Sequence, residues 1–235
     1  MSNLVWQTWV GTKVIPDYVK LSRNHFQRYA EIHNARYLLS TGNYFGFDFK
    51  ARHFNHNSHA VLSKLRPLFD EIFNEYDNIL IVDTDVLINN FDLSIFDYAR
   101  TDISGTSYLT KPEVILDAVK SNMNVNYYPE KLGLKGFALS GGMLVLSKAF
   151  RTIAKNTFVK PVGDHQTDEN YYRQNINNSN MISYMDFRWN FNIKLHEYYR
   201  DSYFLHFHGD MKKYMNDFYN GKKITLNDDE RIIFK

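Results

Sequence analysis

Apolar and polar positions along the chain sort into strand-like and helix-like segments that alternate. Residues 4–10 are a short apolar, tryptophan-bearing run broken by Gly11 and Thr12, which predicts a first strand opening into a loop at its carboxyl end. Pro16 and Asp17 then begin a pattern with Tyr18, Leu21, Phe26, Tyr29 and Ala30 on one side and Lys20, Arg23 and Gln27 elsewhere. That spacing predicts a helix ending near His33 and Asn34. A second strand is expected over 36–39, and residues 42–57 mix Gly, Asn, Phe and His without a period, as a loop does.

From Ser58 onward, Leu62, Leu65, Phe69, Ile72, Phe73 and Tyr76 recur at helical spacing, with Pro67 as a kink or a first turn. The pattern leads into the apolar run 79–82. Further strands are expected over 102–106 and 137–146, the latter interrupted by Gly141 and Gly142. Helices are expected from Pro112 and Glu113, over 148–155 and over 168–175. Strands alternating with helices in this way predict an α/β fold whose mainly parallel central sheet is flanked by helices, with ligands gathering at the strands' carboxyl ends. A length of 235 residues suits one domain over 1–235, with 215–235 as a peripheral extension.

Composition narrows the partners. Lys and Arg total 28 against 26 Asp and Glu, and a net charge of +2 gives no general attraction to nucleic acid or acidic membranes. There is no cysteine, so thiolate metal sites, thiol nucleophiles and disulfides are excluded. The 17 Tyr and 18 Phe chiefly serve a core, and some could stack a uracil or sugar ring. The longest apolar stretches, 79–82 and 143–146, fall far short of the roughly 20 residues of a membrane span, and Met1-Ser2-Asn3-Leu4 begins no signal sequence. A soluble, cytoplasmic protein with no transmembrane segment is expected. The sequon Asn177-Asn178-Ser179 is read as chance in an Asn-rich stretch.

The most chemical segment is Ile79-Leu80-Ile81-Val82-Asp83-Thr84-Asp85-Val86-Leu87-Ile88. Asp83 and Asp85 are two apart, so a pleated strand would aim both at one face. Two carboxylates there are costly unless a cation joins them, and Asp oxygens suit Mg2+ or Mn2+ with positions left for a phosphate oxygen. Asp83-Thr84-Asp85 is therefore a candidate DxD metal site, although strands also end in Asp residues that merely cap a turn. A second signal is Leu205-His206-Phe207-His208-Gly209-Asp210-Met211-Lys212-Lys213. An alternating strand would point His206 and His208 to one side, and a neutral imidazole is a good third ligand for Mn2+. Gly209 permits close backbone approach, and Lys212 offers a point charge to a phosphate.

Asp164 and Asp168 are four apart and share a helical face if both lie in one helix, with Asp164 as its N-cap and Asp168 facing water as the plainer alternative. His53, His56 and His59 have no acidic neighbour and read as a solvated loop.

On these residues the chain resembles the nucleotide-sugar-dependent glycosyltransferases of GT-A fold, a single Rossmann-like domain, and within them the glycogenin and lipopolysaccharide galactosyltransferase group. Ser63-Lys64-Leu65 resembles the helix ahead of the family's DxD, and 79–85 its DxD strand. Phe137 to Leu144 is similar to its Phe-Asn-Ala-Gly-Val-Leu segment, with Ser140 in place of an Asn that contacts the sugar. Asp168-Glu169-Asn170 resembles its Asp-Gln pair, and His206 to Lys212 its His-Phe-x-Gly-x-x-Lys ending, followed here by Lys213-Tyr214 instead of Pro-Trp. The opening Val5-Trp6-Gln7-Thr8-Trp9 with Ile15-Pro16 looks more like mannosyltransferase-like and capsule-type enzymes of the same fold.

The resemblance implies that Asp83, Asp85 and His206 hold Mn2+ or Mg2+. It places Lys64 and Lys212 at the ribose-diphosphate, Thr8 and Trp9 at the base, and Thr84, Ser140, Gly141 and Gly209 along the donor. Asp168 and Asp164 become the candidate catalytic carboxylates, and Trp189-Asn190 resembles a pair that borders the acceptor, with a core Trp and a turn Asn as the plainer alternative. The implied donor is a UDP-sugar, and the implied acceptor a hydroxyl on a glycan, glycolipid or glycoprotein. Two alternatives stay open: a metal-dependent nucleotidyltransferase or phosphohydrolase, for which Val10-Gly11-Thr12-Lys13 is a thin match, and a catalytically inactive nucleotide-sugar-binding module.

Overall fold

The computed structural model describes residues 2–10, 14–42, 62–99, 103–107, 139–158, 168, 171, 172, 175, 182–193, 199–226 and 231–233. Strand β1 (Asn3–Trp9) buries its middle five residues and lies inside a six-stranded sheet. Its partners are β2 (Arg36–Thr41) and β3 (Asn78–Val82), both parallel to it. Beyond β3 come β6 (Leu139–Ser147), β5 (Ile103–Ser107) and β7 (Ile182–Tyr184), giving the order β2-β1-β3-β6-β5-β7. Only β6 runs against its neighbours, so the expected mainly parallel sheet is found with one reversed strand.

Alternation along the strands divides the core between the two faces of this sheet. One face carries Leu4, Trp6, Ile79, Ile81, Leu144 and Leu146 against Leu65, Phe73, Tyr171, Tyr172 and Phe150, which belongs to helix α2 (Lys148–Thr157). The other carries Val5, Leu80, Val82, Met143 and Val145 against Phe26, Tyr29 and Ala30 of helix α1 (Asp17–Ile32) and against Trp189 and Phe204. Helix α1 ends where expected. Asn34 takes a φ of 50°, and the N–H groups of Asn34 and Ala35 donate to the carbonyls of Glu31 and Ala30, the pattern that satisfies a helix C-terminus.

A smaller sheet covers the carboxyl end of β3. It contains β4 (Val86–Ile88), β8 (Phe191–Asn192) and β9 (Phe204–His206) in the order β4-β9-β8. Leu87, Phe191, Leu205 and Phe207 pack there with Met211, and with Met215 and Phe218 of helix α3 (Met215–Tyr219). Strands β10 (Ile224–Leu226) and β11 (Arg231–Ile233) form a hairpin. No helix among the described residues is long and apolar enough to cross a membrane.

Three expectations change. Residues 79–88 are not one strand, because the chain turns at Asp83 and re-enters a different sheet at Val86. The described part of the helix expected from Ser58 contains two short 3-10 turns, Arg66–Leu68 and Glu71–Phe73. Pro67 sits in the first turn of one, and extended Asp70 caps the other by accepting from the Ile72 N–H at 3.1 Å, which breaks the periodic pattern and leaves Ile72 exposed. Finally, Gly141 and Gly142 do not interrupt their strand, and β6 runs through both. The loop expected over 42–57 beyond Gly42, the helix start at Pro112 and the histidines 53, 56 and 59 lie outside the described residues.

Candidate active site and metal centre

The Asp83-Thr84-Asp85 turn is held by backbone hydrogen bonds that no local propensity supplies. Asp83 N–H donates to the Gly142 carbonyl at 3.0 Å, and Phe207 N–H to the Asp85 carbonyl at 2.8 Å. The Asp83 carbonyl accepts from Gln7 Nε2 at 3.0 Å, while Ser22 Oγ donates to the Val86 carbonyl at 2.7 Å. Gln7 Nε2 also reaches Ser22 Oγ at 2.9 Å, and Tyr37 donates to Gln7 Oε1 at 2.8 Å. Strands β1 and β6 and helix α1, with the residue after β9, therefore converge on this turn. A buried polar network with every member paired gives a rigid, unique geometry.

Asp83 and Asp85 on that turn and His206 at the end of β9 each present one ligand atom within 4.8 Å of the others. Asp85 Oδ1 lies 3.2 Å from His206 Nε2, and Asp83 Oδ2 lies 3.9 Å from it. Neither Asp85 Oδ1 nor His206 Nε2 has an aligned hydrogen bond among the described residues, although both are buried. Atoms in that condition are unusual unless something polar joins them. Two carboxylates and an imidazole suit Mn2+ or Mg2+, so the residues present fit the ion that the sequence suggests. Burial opposes the charge of the imidazole, yet Asp85 and Asp83 reverse that and raise its pKa. The Asp85 carboxyl shows the mirror effect: burial alone would raise its pKa, and His206 with Lys212 pulls it well below the usual carboxylate range.

Lys212, on the 3-10 stretch Gly209–Tyr214 that follows β9, places its Nζ 3.1 Å from Asp85 Oδ2 and stays partly exposed. Lys64 is buried. Its Nζ lies 2.6 Å from Asp83 Oδ1, 3.2 Å from Asp168 Oδ2 and 2.9 Å from the Gly141 carbonyl. Burial would lower the pKa of this ammonium, but Asp168 and Asp83 raise it far past the ordinary lysine value. The lysine thus ties the metal-facing turn to Asp168 on the other side of β6.

Gly141 and Gly142 explain why both sides can approach so closely. A Cβ on Gly141 would stand 2.8 Å from Asp168 Cγ, and one on Gly142 would stand 2.5 Å from His206 Cε1 and 2.9 Å from its Nδ1. Only glycine leaves that room. Ser140, one residue earlier, accepts from Asn190 Nδ2 at 2.8 Å. Gly209 has a φ of +67°, so glycine there turns the chain out of β9.

Among the other candidates, Thr8 and Trp9 lie at the carboxyl end of β1, where Thr8 Oγ1 and Trp9 Nε1 are buried without a partner among the described residues. The Trp9 ring meets Tyr18 edge-on at 6.1 Å. Thr84 is partly exposed at the tip of the turn. His208 lies beyond the end of β9 at the surface, with its ring 5.4 Å from that of His206; the partial desolvation of that ring, and then its neighbour, lower its pKa. Asp164, Glu169, Asn170 and Gly11 to Lys13 lie outside the described residues. Sequence reasoning missed Gln7 and Ser22 as supports of the turn and Tyr18 as a neighbour of Lys212 and Asp85. Their only signal was polarity at positions facing the core.

No protein-family model matches this sequence, and no curated protein sequence matches it. Solved structures do match. A glycosyltransferase involved in the glycosylation of the major capsid of PBCV-1 aligns over 92% of this chain and 100% of its own, with a TM-score of 0.60 and 12% identity. The bifunctional glycosyltransferase WbbM, in its apo form, aligns over 87% of this chain and 45% of its own, with a TM-score of 0.51 and 12% identity. The chain accordingly spans less than half of WbbM. At such identities the likeness is one of fold, and the fold is that of the GT-A type glycosyltransferases.

Proposed function

We propose that the protein is a metal-dependent glycosyltransferase that moves a sugar from a nucleoside-diphosphate donor, a UDP-sugar in the first instance, to a hydroxyl on a glycan, glycolipid or glycoprotein. The observation that carries this reading is the convergence of Asp83, Asp85 and His206 beside Lys212, Lys64 and Asp168. Brought together from four parts of the chain, these side chains make a centre with two carboxylates facing one imidazole and lysines on either flank. A capping role for the aspartates would not require the imidazole.

In this reading Asp83, Asp85 and His206 hold Mn2+ or Mg2+, which when bound supplies positive charge to a departing diphosphate. Lys212, partly exposed, meets the diphosphate and stabilises the charge that develops as the sugar leaves. Thr8 and Trp9 present unpartnered polar atoms to the base, and Thr84, Ser140, Gly141 and Gly209 border the donor. Lys64, committed to two carboxylates, fixes Asp83 and Asp168 relative to each other more than it contacts phosphate. Asp168 is the catalytic carboxylate, orienting donor or acceptor or attacking directly in a retaining reaction, or acting as general base in an inverting one. Asp164 is kept as its expected partner. The motif likeness around Ser63-Lys64-Leu65 and His206 to Lys212 favours the glycogenin and lipopolysaccharide galactosyltransferase group within the fold.

Calorimetric titration with UDP, GDP and their sugar conjugates, with and without Mn2+, tests the proposal, with Asp85→Ala as control. Expected is binding of one nucleotide that requires the metal and vanishes in the variant. Binding followed by release of sugar 1-phosphate from a conjugate, or of phosphate from a diphosphate, instead of sugar transfer would favour a nucleotidyltransferase or phosphohydrolase. Binding without turnover on any acceptor would favour the inactive module, and no nucleotide binding under any metal would overturn the reading.

A further inference from the structure

The reading above takes His206 as a ligand but leaves open what decides which of its ring nitrogens faces the carboxylates. An imidazole that gives the Nε2 lone pair to a cation must carry its hydrogen on Nδ1, and a buried Nδ1–H needs an acceptor. His206 Nδ1 lies 2.9 Å from Asn190 Oδ1. The amide of Asn190 is itself held: its Nδ2 donates to Ser140 Oγ at 2.8 Å and to Thr106 Oγ1 at 3.2 Å. With both donors of the amide directed at hydroxyls on β6 and β5, its oxygen turns toward the ring. Ser140 Oγ is kept in place by a further contact, accepting from Gly142 N–H at 3.3 Å.

The backbone around Asn190 is equally constrained. Trp189, immediately before it, is fully buried and packs on Tyr203 and Phe204 at ring separations of 4.7 and 5.2 Å. Asn192 pairs with His206 in the β8–β9 register, and Ile193 N–H donates to the His206 carbonyl at 3.2 Å. Asn190 and His206 thus sit on neighbouring segments whose spacing is set by the small sheet. Replacement of Gly142 by any larger residue would also crowd the pair, since a Cβ there would come within 3.4 Å of Asn190 Nδ2.

We propose that Asn190 is a positioning residue for the metal centre: held by Ser140 and Thr106, its side-chain oxygen accepts from His206 Nδ1–H, fixes the ring and leaves Nε2 to the cation. The inference rests on the metal reading of Asp83, Asp85 and His206, and it moves Asn190 from the acceptor side, where the sequence resemblance placed it, to the support of a ligand. Groups behind a metal-ligating histidine set its tautomer and orientation, and losing one commonly lowers metal affinity about 10–100-fold.

The test uses the full chain in three forms: wild type, Asn190→Ala and Asn190→Asp. Asp keeps an oxygen for the ring, and the Ser140 and Thr106 hydroxyls can rotate to donate to it. Nitrogen NMR of isotope-labelled histidine in metal-free protein at alkaline pH reads the His206 tautomer, and calorimetry with Mn2+ alone reads affinity. Expected is an Nδ1–H ring in wild type and Asn190→Asp, a mixed or Nε2–H ring in Asn190→Ala, and Mn2+ binding about 10–100-fold weaker in Asn190→Ala only. An Nδ1–H ring that persists in Asn190→Ala, or a wild-type ring already in the Nε2–H form, would overturn the role of Asn190. Should wild type bind no Mn2+, the metal reading fails on its own, while the tautomer comparison still decides whether Asn190 sets the ring. If Asn190→Ala does not fold, a wild-type ring in the Nε2–H form or an Asn190→Asp ring that leaves the Nδ1–H form overturns the role.

Discussion

Gly142 and His206 are in contact across the gap between the two sheets, with room on the glycine side for a hydrogen atom and nothing larger: a Cβ there would fall 2.5 Å from His206 Cε1. The neighbouring Gly141 stands in the same relation to Asp168 on the opposite face of β6. Consecutive residues of a strand face opposite ways, so one glycine pair admits a candidate ligand on one side and a candidate catalytic carboxylate on the other.

Separate alanine substitutions should therefore separate two functions. Gly142→Ala is expected to displace the imidazole and weaken Mn2+ binding at least about tenfold, with an overpacking cost of about 1–3 kcal/mol in stability. Gly141→Ala should carry a similar stability cost and reduce sugar transfer with a smaller loss of Mn2+ affinity than Gly142→Ala, because it crowds Asp168 and reaches Asp83 only through Lys64. Calorimetry and a transfer assay on both variants check this, and equal metal loss in both would contradict it.

Lys64 compensates two carboxylates in a buried position. Lys64→Met should cost about 3–5 kcal/mol, since removing one partner leaves uncompensated buried charge. Mn2+ would restore part of that compensation at Asp83. The rise in melting temperature on adding Mn2+ is accordingly expected to be larger in Lys64→Met than in wild type, a comparison that thermal shift measurements make directly.

Gln7 supports the metal-facing turn through its side-chain amide, which donates to the Asp83 carbonyl at 3.0 Å. Gln7→Leu keeps bulk but leaves the Asp83 carbonyl and Tyr37 hydroxyl without their partner, for an expected loss of about 1–3 kcal/mol. Metal affinity should fall with it, because the turn would no longer be held at Asp83. Denaturant unfolding and Mn2+ titration provide the two readings.

Four tyrosines set the alkaline limit of the fold. Burial raises the pKa of Tyr29, Tyr37, Tyr171 and Tyr172 above the ordinary value near 10. Each phenol is then a weaker acid folded than unfolded, so its contribution is complete below about pH 10 and is lost as pH rises toward the folded value. Stability should be flat with respect to these groups at neutral pH and fall steeply above about pH 10. Tyrosinate absorbance should show these phenols ionising only together with unfolding, and early ionisation in a still-folded protein would refute their burial.

Much of the architecture could be read from periodicity alone. Helix α1 and strands β1, β2 and β5 appear within two residues of where hydrophobic spacing puts them, because the helical period of α1 and the short apolar runs of the strands are written in their own residues. Leu65, Phe73 and Tyr76 had the right burial but the wrong local structure: their spacing fits a helix, while Pro67 and Asp70 cut the segment into short turns. Asp83, Asp85, His206 and Lys212 were legible as chemistry, since carboxylates beside an apolar run and a His-x-His-Gly segment have few apolar explanations.

Residue type and local spacing by themselves determined an α/β chain, its main strands, and a set of acidic, histidine and lysine candidates for a phosphate-and-metal chemistry. They could not place Asp83 and Asp85 on a turn between two sheets, because a run of ten residues reads the same whether the chain continues or changes sheet. The roles of Gln7, Ser22, Gly142 and Asn190 depend on partners between 15 and 84 positions away in sequence, at distances that only the packed strands establish. Hydrogen bonds and excluded volume act over a few ångströms in space, so those relationships exist only once the tertiary structure has brought the segments together.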